Sequence, residues 1–324
     1  MKIKDAAGRH IDYARISVTD RCNYRCLYCM PESGVESMPH SGVLRYEEII
    51  WLAGVLVSMG IRHIRFTGGE PLVRKGMPEF LVSFRREFPD LEISLTTNAS
   101  LLEEAAPSIA LAGLSGLNIS LDTLDAVKFS SITRRGDISS VLSGISAVLG
   151  CKIGRIKTNT VVMRGFNDDE LPALLNFAWE RGIIPRMIEF MPLSENLWGR
   201  DKFMPSREML EKTSRLGDWE PVLSAPDPSH GPARYWRDVR TGRIFGVIEA
   251  VSNHFCSACN RLRITASGRM RACLFNKEEI SLIGMIRERD REAVVSAVTS
   301  GINLKPGRWR DLNGGSGDMS VIGG

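Results

Sequence analysis

A chain of 324 residues with 43% hydrophobic residues is long enough for one large core plus a smaller appended unit, or for two modest domains. Its formal net charge of +4, with 25% charged residues, suits an anionic substrate and falls short of a nucleic-acid-binding profile. No stretch approaches the roughly 18 to 20 apolar residues of a membrane span, and the polar first twelve residues lack the apolar run of a signal peptide, so a cytoplasmic protein without nucleic-acid or membrane partners is expected.

In chain order, β-rich runs alternate with helical ones. Residues 14–19, 63–67, 92–97, 117–121, 156–163 and 186–190 read as six strands. Residues 45–59, 77–88, 101–112, 138–149 and 168–180 carry apolar residues at spacings near three and four and read as helices. This is the βα repeat of a parallel sheet or barrel. In barrels the loops leaving the C-terminal strand ends build the active site. Here those loops hold Asp20-Arg21 with the first cysteines, then Gly68-Gly69-Glu70-Pro71, Thr97-Asn98, Ser120-Leu121-Asp122 and Met191-Pro192, which predicts that the candidate residues share one rim. After Pro192 the alternation fades. Residues 205–232 read as a helix followed by a proline- and serine-rich loop, and beyond it come a strand-like 242–251, a second cysteine group and a Gly-rich end at 313–324.

Seven cysteines stand at positions 22, 26, 29, 151, 256, 259 and 273. Three within eight residues are too close to pair well, so metal binding is the better account, with Cys151 left to pack in a helical pattern. The octet Cys22-Asn23-Tyr24-Arg25-Cys26-Leu27-Tyr28-Cys29 can wrap three corners of a cubic [4Fe-4S] cluster and leave one iron open, whereas a structural zinc site wants four closed ligands. The second group is Cys256, Cys259 and Cys273. With His254 as a fourth ligand a zinc knuckle fits its local spacing as well as a cluster does. Arg261 and Arg263 tilt the choice, because they place positive charge where an anionic substrate could reach an open iron; alternatively they form an exposed strand face. Arg15, Arg65 and Lys157 fall inside predicted strands, where a charge must face a polar barrel interior, and converging cations of this kind suit a triphosphate.

The octet, with its aromatic Tyr28 before the third cysteine, resembles the signature of the radical S-adenosylmethionine (SAM) superfamily, and Gly68-Gly69-Glu70-Pro71 resembles that superfamily's GGEP segment. The second group, with its C-x-x-C-x-R-x-R pattern, extends the resemblance to the GTP 3′,8-cyclases of molybdenum cofactor biosynthesis. It runs from Arg15-Ile16-Ser17-Val18-Thr19-Asp20-Arg21-Cys22 through Leu95-Thr96-Thr97-Asn98, Asn118-Ile119-Ser120-Leu121-Asp122 and Ile188-Glu189-Phe190-Met191 to Gly323-Gly324.

The resemblance implies an α/β fold: an incomplete (β/α)6 TIM-type barrel, residues 1–204, with a C-terminal α+β extension, residues 205–324, closing the barrel mouth. It implies two [4Fe-4S] clusters, one on Cys22, Cys26 and Cys29 and one on Cys256, Cys259 and Cys273. SAM contacts fall on Tyr28, Gly69, Ser120 and Met191. GTP contacts fall on Arg15, Arg65, Thr96, Lys157, Arg186, Arg261 and Arg263, with Arg261, Arg263, Gly323 and Gly324 as catalytic positions. The reaction implied is reductive cleavage of SAM to a 5′-deoxyadenosyl radical, removal of the 3′ hydrogen of GTP, and addition of the ribose radical to C8 of guanine. Implied partners are a one-electron reductant of flavodoxin or ferredoxin type, a downstream cyclic pyranopterin monophosphate synthase, and a second copy in a homodimer. Two rival readings are a peptide-modifying radical enzyme with auxiliary clusters, whose extra regions carry more cysteines, and a zinc module contacting nucleic acid, which leaves the GGEP loop and the βα units unexplained.

Overall fold

The computed structural model describes residues 3–36, 38–193, 199–222 and 231–309. Six parallel strands, β1 (Tyr13–Ser17), β2 (His63–Thr67), β3 (Glu92–Thr97), β4 (Gly116–Ser120), β5 (Ile156–Val162) and β6 (Ile184–Glu189), lie side by side in chain order. Helices α1 (Tyr46–Ser58), α2 (Met77–Glu87), α3 (Leu102–Ala112), α4 (Ala126–Thr133), α5 (Ile138–Leu149) and α6 (Leu171–Trp179) connect them. Each predicted strand and helix is present within a few residues. Among the helices between the parallel strands, the one that periodicity missed is α4, eight residues with only Phe129, Ile132 and Thr133 buried, too short to show a pattern; Asp125 caps it by accepting from the Lys128 amide at 2.8 Å.

The strands alternate sharply. Ala14 and Ile16, Ile64 and Phe66, Ile93 and Leu95, and Leu117 and Ile119 are each fully buried and pack on the helices. Phe66 alone meets Phe80 and Phe84 of α2 edge-on at 5.3 and 4.9 Å, and burying side chains of this size stabilises by about 1.5–3 kcal/mol apiece. The opposite faces carry Arg15, Arg65, Thr96, Asn118, Lys157 and Arg186. A TIM barrel usually fills its interior with branched aliphatic layers. A polar, cationic interior leaves a cavity instead.

The C-terminal part continues the same sheet at both edges. After α7 (Ser206–Thr213), the strands β7 (Trp219–Pro221), β8 (Arg234–Asp238) and β9 (Ile244–Ile248) form an antiparallel meander whose last strand pairs in parallel with β6. β10 (Arg261–Ile264) pairs in parallel with β1, and β11 (Arg269–Arg271) and β12 (Ile280–Ser281) follow antiparallel. The order β12-β11-β10-β1-β2-β3-β4-β5-β6-β9-β8-β7 does not close on itself, so the barrel is incomplete. Helices α8 (Ile283–Arg287) and α9 (Arg291–Asn303) pack against α1. Glu189 fastens the top of β6 to this added part. Its buried carboxylate accepts from the amides of Ser206, Val251 and Ser252 at 2.8 to 2.9 Å. Among the described residues no helix is long and apolar enough to cross a membrane.

Candidate active site

The first cysteine loop leaves the C-terminal end of β1 and is pinned from several sides. Amides of Arg25 and Leu27 donate to the carbonyls of Thr133 and Ile132 at 2.9 Å, so the end of α4 holds the loop's middle. The Arg25 guanidinium folds back on the Cys22 and Tyr24 carbonyls at 2.6 and 2.8 Å, and Arg134 donates to the Arg25 and Met30 carbonyls. Glycine is required behind it. A Cβ on Gly69 would stand 2.2 Å from the Arg21 carbonyl oxygen, and one on Gly68 2.6 Å from that of Thr19. Glu70 of the same segment is 1% exposed and turns away from the loop. Its carboxylate accepts from the Leu72 amide, the Thr97 hydroxyl and the Asn98 amide at 3.0, 2.8 and 2.6 Å, and so sets the end of β3. Burial pushes its pKa up to about 7 against those donors. Asn98 in turn bonds Asn23 at 2.9 Å and reaches the Cys22 sulfur at 4.0 Å.

None of the seven cysteines is in a disulfide. In the first group burial dominates: it raises Cys22 to about 11 and Cys26 well above the usual thiol range, where the neighbouring Cys29 and Cys22 push in the same direction. These sulfurs sense one another electrostatically, as do Cys256, Cys273 and Cys259. Yet among the described residues no three His, Cys, Asp or Glu side chains lie close enough to share one metal ion. A single zinc would draw its sulfurs to about 2.3 Å from one centre, while a cubane cluster gives each sulfur its own iron. With three cysteines apiece, both triads suit a cluster that leaves one iron open.

The second triad lies at the other end of the barrel. Arg261, two residues past Cys259, is the register partner of Tyr13 at the start of β1, whereas Cys22 follows the end of β1. Because β11 runs antiparallel to β10, Cys273 returns to that same lower end. The strand between the two groups spans roughly 13 Å at about 3.3 Å per residue. The expected shared rim of the loops after β1 to β6 is present, and the second triad enters the barrel from its N-terminal side.

Between the ends the cavity is built in levels. Arg263, Arg15 and Arg65 are consecutive register partners on β10, β1 and β2; Asn118 and Lys157 pair on β4 and β5 beside Thr96; Ser120, Asn159, Arg186 and Gly246 make the next level. Gly246 leaves room for Arg186, since a Cβ there would touch its Cγ at 3.0 Å. Arg261 and Arg263 sit on a strand, as alternation allowed, but Arg263 is 7% exposed and faces inward, not to solvent. Among the described residues lining the cavity eight are Arg or Lys and one, Asp122, is a carboxylate. Burial, followed by the Arg263 charge, takes Arg15 well below its ordinary range, and burial with Arg261 pulls Arg263 to about 10. Arg65 Nε, Thr96 Oγ1 and Asn159 Oδ1 are buried there without a hydrogen-bond partner. Such a wall calls for a polyanion.

Tyr28, Ser120 and Met191 line the upper part of this cavity; Gly69 does not, and Gly323 and Gly324 lie outside the described residues. Strand-end reading named Asp122 without giving it a role and passed over Arg9, Lys305 and Trp309. Asp122 accepts from the Tyr28 hydroxyl at 2.5 Å and the Val161 amide at 2.8 Å, with burial raising its carboxyl to about 6. Arg9, held by Asp5, donates to the Cys256 carbonyl at 2.7 Å. Lys305 is buried beside Cys259, and Trp309 stacks on Phe275 at 4.4 Å over the lower end. The position of Asp122 at a strand end was a readable signal; Arg9, Lys305 and Trp309 stand in no motif.

A profile described as "Radical SAM superfamily" matches residues 16–178, and one described as "Molybdenum Cofactor Synthesis C" matches residues 183–310. A protein of Pelotomaculum thermopropionicum named GTP 3′,8-cyclase is 42% identical over 333 residues, covering 99% of this chain and 100% of its own. One of the same name from Moorella thermoacetica is 43% identical over 327 residues, with the same coverage of both chains. The crystal structure of Streptococcus suis SuiB bound to precursor peptide SuiA superposes with a TM-score of 0.64 at 13% identity, over 91% of this chain and 67% of that one, which is a likeness of fold. This chain belongs to the radical SAM superfamily and, within it, to the GTP 3′,8-cyclase family.

Proposed function

We propose that the chain cyclises GTP to 3′,8-cyclo-7,8-dihydro-GTP with two [4Fe-4S] clusters, one held by Cys22, Cys26 and Cys29 and the other by Cys256, Cys259 and Cys273. The observation that carries this reading is the cation-lined cavity that runs through the barrel from Cys256, Cys259 and Cys273 at one end to Tyr28, within the first cysteine loop, at the other. When bound, the first cluster, given one electron by the external reductant, would supply with SAM the radical chemistry that removes the 3′ hydrogen of GTP, and joining C3′ to C8 would be completed by a second electron and a proton. Every other part falls to the protein. Arg15, Arg65, Lys157 and Arg186 hold the triphosphate by charge-assisted bonds, with Thr96 alongside. Arg261 and Arg263 orient the guanine toward the second triad. Ser120, Met191 and Tyr28 position SAM at the upper end, with Gly69 leaving its backbone open to the methionine group and Asp122 fixing the tyrosine. The Phe275–Trp309 stack excludes water from the lower end.

In this reading residues 1–204 form the SAM-cleaving unit and residues 205–324 the substrate unit, whose Gly323-Gly324 tail positions Arg261 and Arg263. The protein works in the cytoplasm with a flavodoxin- or ferredoxin-type reductant and passes its product to a cyclic pyranopterin monophosphate synthase. Two triple Cys→Ser variants, one per triad, test the cofactor assignment by iron and sulfide analysis after anaerobic reconstitution. Each is expected to hold half the iron of the parent chain and to form no cyclised product. Full iron in either variant would overturn it.

A further inference from the structure

We propose that Lys305 tunes the second cysteine group, its buried ammonium holding a cluster at that site at a higher reduction potential than one at Cys22, Cys26 and Cys29. The inference rests on the reading that Cys256, Cys259 and Cys273 carry a cluster.

Lys305 follows α9 and is 8% exposed. Its Nζ donates to the carbonyl of Arg261 at 2.6 Å and to that of Ala272 at 2.7 Å. These residues lie two beyond Cys259 and one before Cys273, so the ammonium is held between the chain segments that carry those two cysteines. The backbone is seated as carefully as the head group. Arg9, paired with Asp5, donates to the Lys305 and Pro306 carbonyls at 3.2 and 3.1 Å and to Cys256 at 2.7 Å.

Burying an ammonium is costly unless negative charge faces it. Burial lowers the pKa of Lys305, and the negative groups that oppose this are Cys259 and Cys273. Arg261 adds a guanidinium 3.8 Å from the same Cys259 sulfur. The first triad is surrounded differently. Cys22 receives the Tyr24 amide at 3.4 Å and the Asn98 amide group at 4.0 Å, both neutral, and there the charge of Arg25 is opposed by the carboxyls of Glu70, near Cys22, and Asp122, near Cys26. Positive charge and hydrogen bonds at the sulfurs favour the more negative, reduced state of a cluster, and so raise its potential.

The test uses the full chain with Cys22, Cys26 and Cys29 changed to serine, so that iron enters only the second site, and an anaerobic redox titration followed by electron paramagnetic resonance. K305M and K305Q are expected to keep their iron and to shift the midpoint to more negative potential, while K305R stays near the parent. Midpoints of K305M and K305Q indistinguishable from the parent would overturn the proposal. Loss of iron in both would also overturn it, by making Lys305 an anchor of the fold and not a tuning group. No iron in the parent itself, with Lys305 intact, would instead overturn the second-cluster reading and the tuning with it.

Discussion

Arg15 of β1 and Arg263 of β10 are register partners, so a half-buried and a buried guanidinium share one level of the barrel wall, with Arg65 next in line on β2. Their mutual repulsion is a property of the cavity before substrate arrives, and a bound polyanion relieves it. Inorganic triphosphate is therefore expected to raise the Tm of the cluster-free protein, since a ligand at 100 times its Kd stabilises by about 2.7 kcal/mol. Arg263→Gln should leave the unliganded Tm unchanged or higher. It should weaken GTP binding by roughly ten- to a hundredfold, the worth of a charge-assisted bond at about 1.5–3 kcal/mol. Thermal unfolding and equilibrium binding check both halves.

Gly69→Ala places a Cβ against the Arg21 carbonyl, a backbone atom that cannot rotate away. The loop after β1 must move, at a destabilisation of about 1–3 kcal/mol for an overpacked site. Iron bound at the first triad is expected to fall sharply while the second triad keeps its share. Iron analysis of G69A beside the two triple Cys→Ser variants reads this directly.

Glu70 has a folded-state pKa raised to about 7, with burial as the main cause. For a carboxyl raised in this way, the stabilising contribution is fully present below its unfolded value, about 4.3, and is lost as pH rises through the folded one. Unfolding of the parent should thus show a loss of stability between about pH 4 and pH 7 that Glu70→Gln diminishes. The variant carries its own penalty at all pH values, because its amide group meets donors at Leu72, Thr97 and Asn98; an unsatisfied buried group of this kind costs about 1–3 kcal/mol. Urea denaturation at pH 5 and pH 8 separates the two effects.

Asp122 joins Tyr28 to β5. Asp122→Asn can still accept from the Val161 amide and donate to the tyrosine oxygen, so its fold should persist. Asp122→Ala strands both groups, and a loss of about 1–3 kcal/mol is expected. If Tyr28 orients SAM, D122A should also raise the KM for SAM more than D122N does, a comparison that steady-state kinetics provides.

Much of this architecture was legible in the chain. Ala14 and Ile16, or Ile64 and Phe66, announce their strands by alternation, and Arg15 and Arg65 announce a polar interior because a charge in a parallel strand has nowhere else to go. The cysteine spacing carried the chemistry of the upper end. What could not be read was long-range pairing. Arg261 to Ile264 is a short alternating run that reads as a half-exposed strand, and nothing local says that it lies beside residues 13–16, some 250 positions earlier. That single pairing puts the second triad at the opposite end from the first and turns Arg263 inward. Lys305 is invisible for the same reason: its partners at Arg261 and Ala272 become neighbours only when β10 and β11 are in place.

The most direct test of the cyclase reading is anaerobic incubation of the reconstituted protein with reductant, SAM and GTP deuterated at the 3′ position, with mass analysis of the 5′-deoxyadenosine formed. One deuterium in that product is the predicted result, because the cavity would hold the ribose 3′ carbon beside SAM at the upper end. Unlabelled 5′-deoxyadenosine would contradict the assignment of GTP as the molecule between the two triads.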